Sequence, residues 1–376
     1  MNLFDVYPVF NINLQKAKGA YVYDENNQKY LDLYGGHGVI SIGHSHPIYV
    51  KNIQEQVEKI GFYSNSIKMP LQEELAEKLG RLSGYEDYNL FLCNSGAEAN
   101  ENAIKLASFH NSKSKIIAFK NSFHGRTAAT LNVTDNPKLS ANINLNNFET
   151  IFIELNDEKA LQEALSKNDV AAVIVEGIQG VGGLDEATPE FFKLIADLCK
   201  THNALFIADE IQSGYGRSGH FFAHQIADIQ PDIITTAKGM GNGFPIGGVL
   251  INPEIKASYG LLGTTFGGNH LACAAGIAVL DVIENEQLLD KVNQTNSALC
   301  VALKDISAIK KIKGKGLMLG VEFDFPIKEL RSKLLNDHKI FTGASANPNL
   351  LRILPPLNIS EEEILLFASA LKEELI

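Results

Sequence analysis

The chain has 376 residues, of which 45% are hydrophobic and 20% charged, and its formal net charge is -11 at pH 7. This length exceeds what a single hydrophobic core usually organises, so the sequence predicts a globular protein of two connected domains. The acidic balance argues against a nucleic-acid-binding surface, because such a surface needs a clustered excess of lysine and arginine to contact the phosphates.

The four cysteines, Cys93, Cys199, Cys273 and Cys300, lie far apart, and no histidine stands near them at metal-ligand spacing. They therefore predict free thiols in a reducing compartment, and no metal site. No apolar run reaches membrane-spanning length, and the first residues lack the basic and apolar regions of a secretory signal. We therefore expect a cytoplasmic protein with no membrane partner.

The first predicted element is a hairpin over residues 20–34, with the polar residues 25–27 at its turn. From residue 89 onward, short apolar runs alternate with helical patterns, which is typical of an α/β fold with helices on both faces of a parallel sheet. Seven such runs predict strands at 89–93, 115–119, 150–155, 171–177, 205–210, 233–237 and 247–251.

Two helices between these strands are clear from the sequence. Residues 98–110 place Ala103, Leu106, Ala107 and His110 on one predicted face. Residues 189–200 form a second helix, with Thr188 as its N-cap and a proline at the first helical position.

After the last strand, residues 271–305 form a long helical pattern, with Gly276 and the polar residues 284–286 as candidate breaks. Strands near 316–323 and 351–353 and a helix from Ser360 follow, which together predict a smaller α+β unit. The predicted division is an N-terminal segment 1–45 that joins the small domain, a large domain 46–270, and a linking helix with the C-terminal small domain at 271–376.

The turn after the first of the seven strands is a candidate phosphate site. Residues 94–100 (NSGAEAN) place a glycine between a strand and a helix start, where free backbone N–H groups and the helix dipole favour an anion. The same turn could also be nothing more than the geometry that joins a strand to a helix. Its interpretation depends on what the other strand ends carry, because ligands of such sheets bind at the carboxyl ends of the strands.

Asp209 and Lys238 stand at the ends of the fifth and sixth predicted strands. Such a pair could form a structural salt bridge. It is also the pair that pyridoxal phosphate requires: a lysine to bond its aldehyde, and a carboxylate to keep its ring nitrogen protonated so that the ring accepts electrons. The sequence therefore predicts a pyridoxal-phosphate site with Lys238 and Asp209 as its catalytic residues.

Motifs along nearly the whole chain support this prediction. They are residues 31–33 (LDL), 43–47 (GHSHP), 95–100 (SGAEAN), 123–127 (FHGRT), 209–219 (DEIQSGYGRSG), 238–239 (KG), 265–269 (TFGGN) and Arg352. In their order and separations they resemble the class III aminotransferases of fold type I, and among them the acetylornithine/succinylornithine aminotransferase family. The resemblance implies a large domain with a mostly parallel seven-stranded sheet and a smaller α+β domain.

The resemblance also implies the roles of the cofactor-binding residues. Ser95, Gly96 and Ala97 would bind the phosphate, while Phe123 and Ile211 would cover the two ring faces.

Three further roles follow from the same resemblance. Gln212 would contact the phenolic oxygen of the cofactor, and Asp209 its ring nitrogen. Thr265 would reach the phosphate in the neighbouring subunit, which implies a homodimer with shared active sites.

Two arginines would bind the substrates by resemblance. Arg126 would hold the α-carboxylate of an ornithine-type donor, and Arg352 the α-carboxylate of glutamate or 2-oxoglutarate, since the guanidinium fork matches a carboxylate. Glu176 belongs to the same predicted substrate-binding set. The implied reaction is transamination of N-acetylornithine or N-succinylornithine with 2-oxoglutarate in arginine biosynthesis, and the alternative donors are ornithine, 4-aminobutyrate or another ω-amino acid.

Two residues depart from the family pattern where it bears on substrates. Residues 176–181 read EGIQGV, so Val181 stands where many relatives carry an acidic residue that neutralises the second arginine. We expect Arg352 to be unshielded, which would favour dicarboxylates. His37 stands where relatives carry an apolar residue, and it either contacts the acyl part of the substrate or is a structural histidine.

Two other classes of function are weaker interpretations. The glycine-containing residues 241–247 could be a dinucleotide-binding loop, but they lack the helix start and acidic ribose partner of that motif. A non-catalytic binding protein is disfavoured, because the lysine, the aspartate and both arginines are present.

Overall fold

The computed structural model describes residues 1–144 and 148–375. The strands are β1 Leu14–Lys18, β2 Tyr21–Asp24, β3 Lys29–Asp32, β4 Asn89–Cys93, β5 Lys115–Phe119, β6 Thr150–Ile153, β7 Val170–Glu176, β8 Leu205–Asp209, β9 Ile233–Thr236, β10 Gly247–Ile251, β11 Ile309–Lys315, β12 Met318–Phe323, β13 Ile340–Phe341, β14 Gly343–Ala344 and β15 Leu350–Ile353. The helices are α1 Gly35–Gly38, α2 Pro47–Lys59, α3 Pro70–Ser83, α4 Gly96–Asn111, α5 Ala128–Asn132, α6 Glu158–Leu165, α7 Pro189–Thr201, α8 His270–Asn285, α9 Leu288–Leu303, α10 Lys328–Asn336 and α11 Glu361–Leu375.

The central sheet contains the seven predicted strands in the order β4-β10-β9-β8-β7-β5-β6. Strand β10 runs antiparallel to both of its neighbours, and the remaining pairs are parallel. The prediction of an α/β fold with a mostly parallel seven-stranded sheet is confirmed. Four strands end one or two residues earlier than predicted, before residues 155, 177, 210 and 237.

Both faces of this sheet are buried, which explains why its strands are continuous apolar runs. In β7 every residue is buried, and Val173 and Val175 belong to one apolar cluster while Ala172 and Ile174 belong to another. Because successive side chains of a strand point to opposite faces, the two clusters are the two layers between the sheet and its helices.

The two helices predicted between the strands are present. Helix α4 contains all four residues that were predicted to share one face; Ala103, Leu106 and Ala107 are buried, and His110 is exposed in the last turn. Helix α7 begins as predicted, because the Thr188 hydroxyl accepts a hydrogen bond from the backbone N–H of Phe191 at 3.1 Å.

The long helical pattern after the sheet forms two helices, α8 and α9. They separate at Gln287, whose φ of 51° cannot continue a helix, so the break predicted around residues 284–286 is confirmed. The predicted break at Gly276 is wrong, because α8 continues through it. A Cβ at this position would lie 3.0 Å from the Leu75 side chain of α3, so Gly276 allows close helix packing rather than a turn.

The two ends of the chain meet in one sheet. The predicted hairpin of residues 20–34 is present as β2 and β3, and β3 pairs in parallel with β13 through Leu31 and Ile340. Strands β11, β12, β15 and β14 form a third sheet, with β11 at its edge. Within the described ranges, no helix is both long and apolar enough to cross a membrane.

Candidate active site

A cavity of about 420 Å³ opens at the carboxyl ends of β7, β8 and β9, where ligands of open α/β sheets bind. Ten of the predicted site residues line it: Ser95, Gly96, Ala97, Phe123, Arg126, Glu176, Asp209, Ile211, Gln212 and Lys238. Two predicted site residues, Thr265 and Arg352, are not among its lining residues.

Asp209 is buried at the end of β8, and both of its carboxylate oxygens are hydrogen-bonded. Its Oδ2 accepts from Nδ2 of Asn100 at 2.8 Å and lies 2.7 Å from Nδ1 of His124, while Oδ1 accepts from the backbone N–H of Ile211 at 3.1 Å. Asn100 is in turn held by the Thr235 hydroxyl, which donates to its Oδ1 at 2.7 Å. Because these donors fix the carboxylate in place, Asp209 offers a rigid negative charge to the cavity.

Lys238 follows β9 and reaches the cavity from a backbone in the left-handed region, with φ of 44°. Burial lowers the pKa of its amine, Asp209 and Glu176 raise it, and Arg352 lowers it further, with burial the largest effect. A lowered pKa leaves more of the amine unprotonated, and the unprotonated form is both the nucleophile and the base.

The start of α4 forms one wall of the cavity. Ser95 is the N-cap, and its hydroxyl accepts from the backbone N–H of Glu98 at 3.2 Å. A Cβ at Gly96 would lie 2.8 Å from the Ile211 side chain, so only glycine lets Ile211 and the helix start approach this closely. The free N–H groups of this helix end make the wall attractive to an anion.

Glu176, at the end of β7, connects two segments of the site. Its Oε1 accepts from the backbone N–H of Phe123 and its Oε2 from that of Gly180, both at 2.9 Å. Burial raises the pKa of its carboxyl to about 7, with Asp209 raising it further and His124 opposing the shift. Glu176 therefore holds Phe123 on one side of the cavity and the loop after β7 on the other.

Gln212 links the cavity wall to the N-terminal part of the chain. Its Nε2 donates to the backbone oxygen of His37 at 2.8 Å, and its buried Oε1 has no hydrogen-bond partner within the described ranges. A Cβ at Gly180 would lie 1.8 Å from this oxygen, so a side chain at Gly180 would displace Gln212.

Arg352 lies behind the cavity on β15 and is only 4% exposed. Its Nη1 donates to the backbone oxygen of Gly180 at 2.7 Å, and its Nε has no partner in the described part of the chain. Among residues 1–144 and 148–375, no carboxylate lies within 4.0 Å of this guanidinium. Burial lowers the pKa of Arg352 and is the largest effect, Arg331 lowers it further, and Tyr34 and Glu176 raise it.

Arg126 and Thr265 occupy more open positions. Arg126 is exposed and lines the cavity, where it can meet a carboxylate. Thr265 is exposed on the loop before α8, outside the cavity of its own chain. Next to it, the exposed Phe266 ring lies 5.3 Å from that of Phe62.

The sequence did not indicate four residues that the structure places beside the predicted ones. His124 and Asn100 hold Asp209, although both lie within motifs that carry the resemblance, and this could have drawn attention to them. Tyr34 raises the pKa of Arg352 and Arg331 lowers it, so both lie near that guanidinium. No sequence signal connects these three residues.

The donor set of the cavity fits pyridoxal phosphate. The helix start at Ser95 suits the phosphate, the buried Asp209 suits a protonated ring nitrogen, and the amine of Lys238 suits the aldehyde. The glycine-containing residues 241–247 lead into β10 instead of opening a helix, so the dinucleotide-loop interpretation is wrong. Fold and site together define a pyridoxal-phosphate-dependent enzyme.

Comparison with known proteins narrows this class. The family model "Aminotransferase class-III" matches residues 5–375. The acetylornithine aminotransferase of Bacillus subtilis (strain 168) is 39% identical over 381 residues, covering 100% of this chain and 97% of the relative. The enzyme of the same name from Aquifex aeolicus is 39% identical over 385 residues, covering 99% of each. The chain therefore belongs to the class III aminotransferases.

Solved structures agree with this assignment. The ornithine aminotransferase of Toxoplasma gondii ME49 superposes with a TM-score of 0.90 at 29% identity, covering 99% of this chain and 92% of that one. The acetylornithine aminotransferase of Elizabethkingia anophelis superposes with a TM-score of 0.85 at 31% identity, covering 99% of this chain and 96% of that one. The predicted family and fold are confirmed.

Proposed function

We propose that this aminotransferase moves the amino group of N-acetylornithine or N-succinylornithine to 2-oxoglutarate, giving the acylated glutamate semialdehyde and glutamate, as in arginine biosynthesis. The observation that carries the proposal is that Lys238 and Arg126 line one cavity, with Arg352 behind it. The full-length similarity to acetylornithine aminotransferases supports the donor.

The proposed cofactor contacts follow the geometry of the cavity. Ser95, Gly96 and Ala97 would hold the phosphate at the start of α4, and Asp209 the ring nitrogen. Phe123 would lie against one face of the ring.

Two other wall residues complete this set. Ile211, which packs on Gly96, would lie against the second ring face, and Gln212 would meet the phenolic oxygen.

When bound, pyridoxal phosphate accepts the electron pair left on the substrate carbon after that carbon loses its proton. The residues of the chain control where this proton goes. Lys238 Nζ would take the proton from the carbon that bears the reacting amine and return it during the transfer, and its lowered pKa suits that role. Asp209 would keep the ring nitrogen protonated through its fixed negative charge.

Two arginines would orient the substrates. Arg126 would hold the α-carboxylate of the acylated donor, which leaves the distal amine directed to Lys238. Arg352 would hold the α-carboxylate of glutamate or 2-oxoglutarate, for which its uncompensated charge is available. Glu176 would act on the same half of the site. It holds the backbone N–H of Gly180, and the backbone oxygen of Gly180 accepts the hydrogen bond from Arg352.

The proposal includes a homodimer with shared active sites. Thr265 is exposed beside the Phe62 and Phe266 rings, and exposed apolar patches of this kind are typical of protein interfaces. In this arrangement Thr265 would reach the phosphate bound by the neighbouring subunit.

The proposed domains are a large one, 46–270, and a small one formed by 1–45 and 271–376. The pairing of β3 with β13 supports this division, and the bond from Arg352 to Gly180 would join the two domains at the site.

We further propose a cytoplasmic location, which the free thiols of all four cysteines support.

Single-turnover spectroscopy tests the proposed reaction. The purified holoenzyme is mixed separately with N-acetylornithine, N-succinylornithine, ornithine and 4-aminobutyrate, and the loss of bound-cofactor absorbance is followed. We expect the fastest change with one acylated ornithine, and one equivalent of glutamate after 2-oxoglutarate is added. A response to glutamate but to neither acylated ornithine would contradict the proposed donor.

A further inference from the structure

The backbone at His37 is held in an uncommon conformation beside the cavity. Gly36 and His37 have φ of 57° and 68°, in the left-handed region that residues other than glycine seldom adopt. The His37 carbonyl accepts the hydrogen bond from Gln212 Nε2 at 2.8 Å, and Gln212 lines the cavity. A strained residue that is tied to a functional wall points to a role for its side chain.

The neighbouring Tyr34 orients the imidazole of His37. The Tyr34 hydroxyl lies 2.7 Å from both ring nitrogens, and the two ring centroids are 4.7 Å apart. A neutral imidazole has one donor and one acceptor nitrogen, so the hydroxyl can donate to the acceptor and leave the ring N–H for a substrate.

The surroundings of His37 are strongly positive. Its side chain is exposed, yet Arg352, Lys238 and Arg126 are all close enough to act on it electrostatically. Partial desolvation of the imidazole lowers the pKa of His37, and these three cations lower it further. These effects favour the neutral imidazole, so His37 is an uncharged donor beside a cavity whose lining includes the cations Arg126 and Lys238 and the carboxylates Glu176 and Asp209.

We propose that His37, oriented by Tyr34, donates a hydrogen bond to the amide oxygen of the donor's N-acyl group and so selects acylated ornithine over free ornithine. The inference rests on the proposed function. With the α-carboxylate at Arg126 and the reacting amine at Lys238, the acylated nitrogen lies beside the carboxylate, in the region that His37 shares with both cations.

The same arrangement disfavours free ornithine. Its α-amine is a cation that carries only donors, and it would face the N–H of His37 and the charge of Arg126. An acyl group removes that positive charge and supplies an acceptor oxygen. Selectivity thus comes from an attractive contact with the amide together with repulsion of the unmodified amine.

Three variants test the proposal without disturbing the fold. His37→Gly removes the ring, and glycine adopts the left-handed backbone without strain. His37→Asn also tolerates this backbone and keeps a shorter amide donor. Tyr34→Phe keeps His37 but removes the hydroxyl that orients it. As a matched control, His220→Ala removes an exposed histidine outside the cavity lining.

The measured quantity is the rate constant for loss of cofactor absorbance in the holoenzyme, taken as the ratio of the better acylated ornithine to free ornithine. Parallel reactions with N-acetylornithine and N-succinylornithine identify which acyl group is used. We expect the ratio to fall about tenfold in His37→Gly, to fall less in Tyr34→Phe and His37→Asn, and to stay unchanged in His220→Ala.

A ratio within about twofold of wild type in both His37→Gly and Tyr34→Phe would overturn the assignment of His37, while the proposed function would stand. A wild-type holoenzyme that reacts with glutamate but with neither acylated ornithine would instead overturn the proposed function, and with it the ligand assigned to His37.

Discussion

The two charged centres of the site, Asp209 and Arg352, are both buried but are compensated very differently. Asp209 receives hydrogen bonds from Asn100, His124 and Ile211. Arg352 donates one hydrogen bond, to a backbone oxygen, and its Nε has no partner in the described part of the chain. Asp209 is thus hydrogen-bonded by the protein itself, whereas the guanidinium of Arg352 still has donors for an incoming carboxylate.

The largest effect is expected from Asp209→Asn, which keeps the shape of the side chain but removes its charge. We expect the transamination rate to fall about 10²- to 10³-fold, because a neutral amide cannot keep the ring nitrogen protonated. The free energy of unfolding should fall by about 1–3 kcal/mol, because one donor of the cluster would face another donor. Steady-state kinetics and denaturant melts measure the two effects.

The control for this variant is Asp169→Asn, at a surface carboxylate whose Oδ2 lies 2.9 Å from Lys115 Nζ. It should leave the rate unchanged. If Asp209→Asn also kept wild-type activity, the assignment of Asp209 to the ring nitrogen would be wrong.

Arg352→Met should separate function from stability at the other end of the site. We expect the KM for glutamate and 2-oxoglutarate to rise roughly 10- to 100-fold, because a charge-assisted carboxylate contact is lost. The free energy of unfolding should stay constant or increase, because a buried and poorly compensated cation is replaced by an apolar side chain of similar length.

Arg217 provides the matched control, since it is also fully buried but donates to the backbone oxygens of Ile40, Leu317 and Pro355. Arg217→Met should lower the free energy of unfolding by about 3 kcal/mol, because three acceptors lose their donor. Equal losses of stability in Arg217→Met and Arg352→Met would contradict the contrast between an arginine with three backbone acceptors and one with a single acceptor.

Most of the secondary structure of the central sheet could be predicted from the sequence alone. The seven strands were predictable because each is an apolar run buried on both faces, as in β7. Gly276 was misinterpreted as a break, since the sequence does not show that Leu75 packs against it. Local patterns predict elements, while the fit between elements distant in sequence decides what an individual glycine does.

The residues of the candidate site could also be predicted only in part. Lys238 and Asp209 were predictable, because the carboxyl ends of parallel strands converge. The proximity of Tyr34 to Arg352 was not predictable, because β15 and the turn after β3 are brought together only by tertiary packing. Residues that meet only through tertiary packing show no periodic pattern in the sequence.

Val181→Glu should change the substrate end by a smaller amount. The residue follows Gly180, whose oxygen receives Arg352, so a carboxylate here would compete with substrate for that guanidinium. We expect the KM for glutamate to rise a few-fold, about the worth of a partly solvated ion pair. Val181→Gln is the neutral control and should leave this KM near wild type. Unchanged glutamate kinetics in Val181→Glu would show that Arg352 is already shielded.

The smallest effect concerns stability and pH, through Glu176. Its pKa is raised from 4.5 to about 7 in the fold, so the carboxyl stabilises the cofactor-free protein in its protonated form. That contribution is fully present below about pH 4.5 and is lost as the pH rises towards 7. Glu176→Gln cannot ionise, so its free energy of unfolding relative to wild type should increase between these pH values. Parallel pH profiles for the two proteins would contradict the raised pKa.

The proposed covalent bond between Lys238 and the cofactor can be trapped chemically and located in the chain. The holoenzyme is reduced with borohydride, digested with a protease, and the peptides are mapped by mass spectrometry. We expect one modified peptide, with the cofactor mass on Lys238. Modification of a different lysine, or no modified peptide from a protein that contains pyridoxal phosphate, would contradict it.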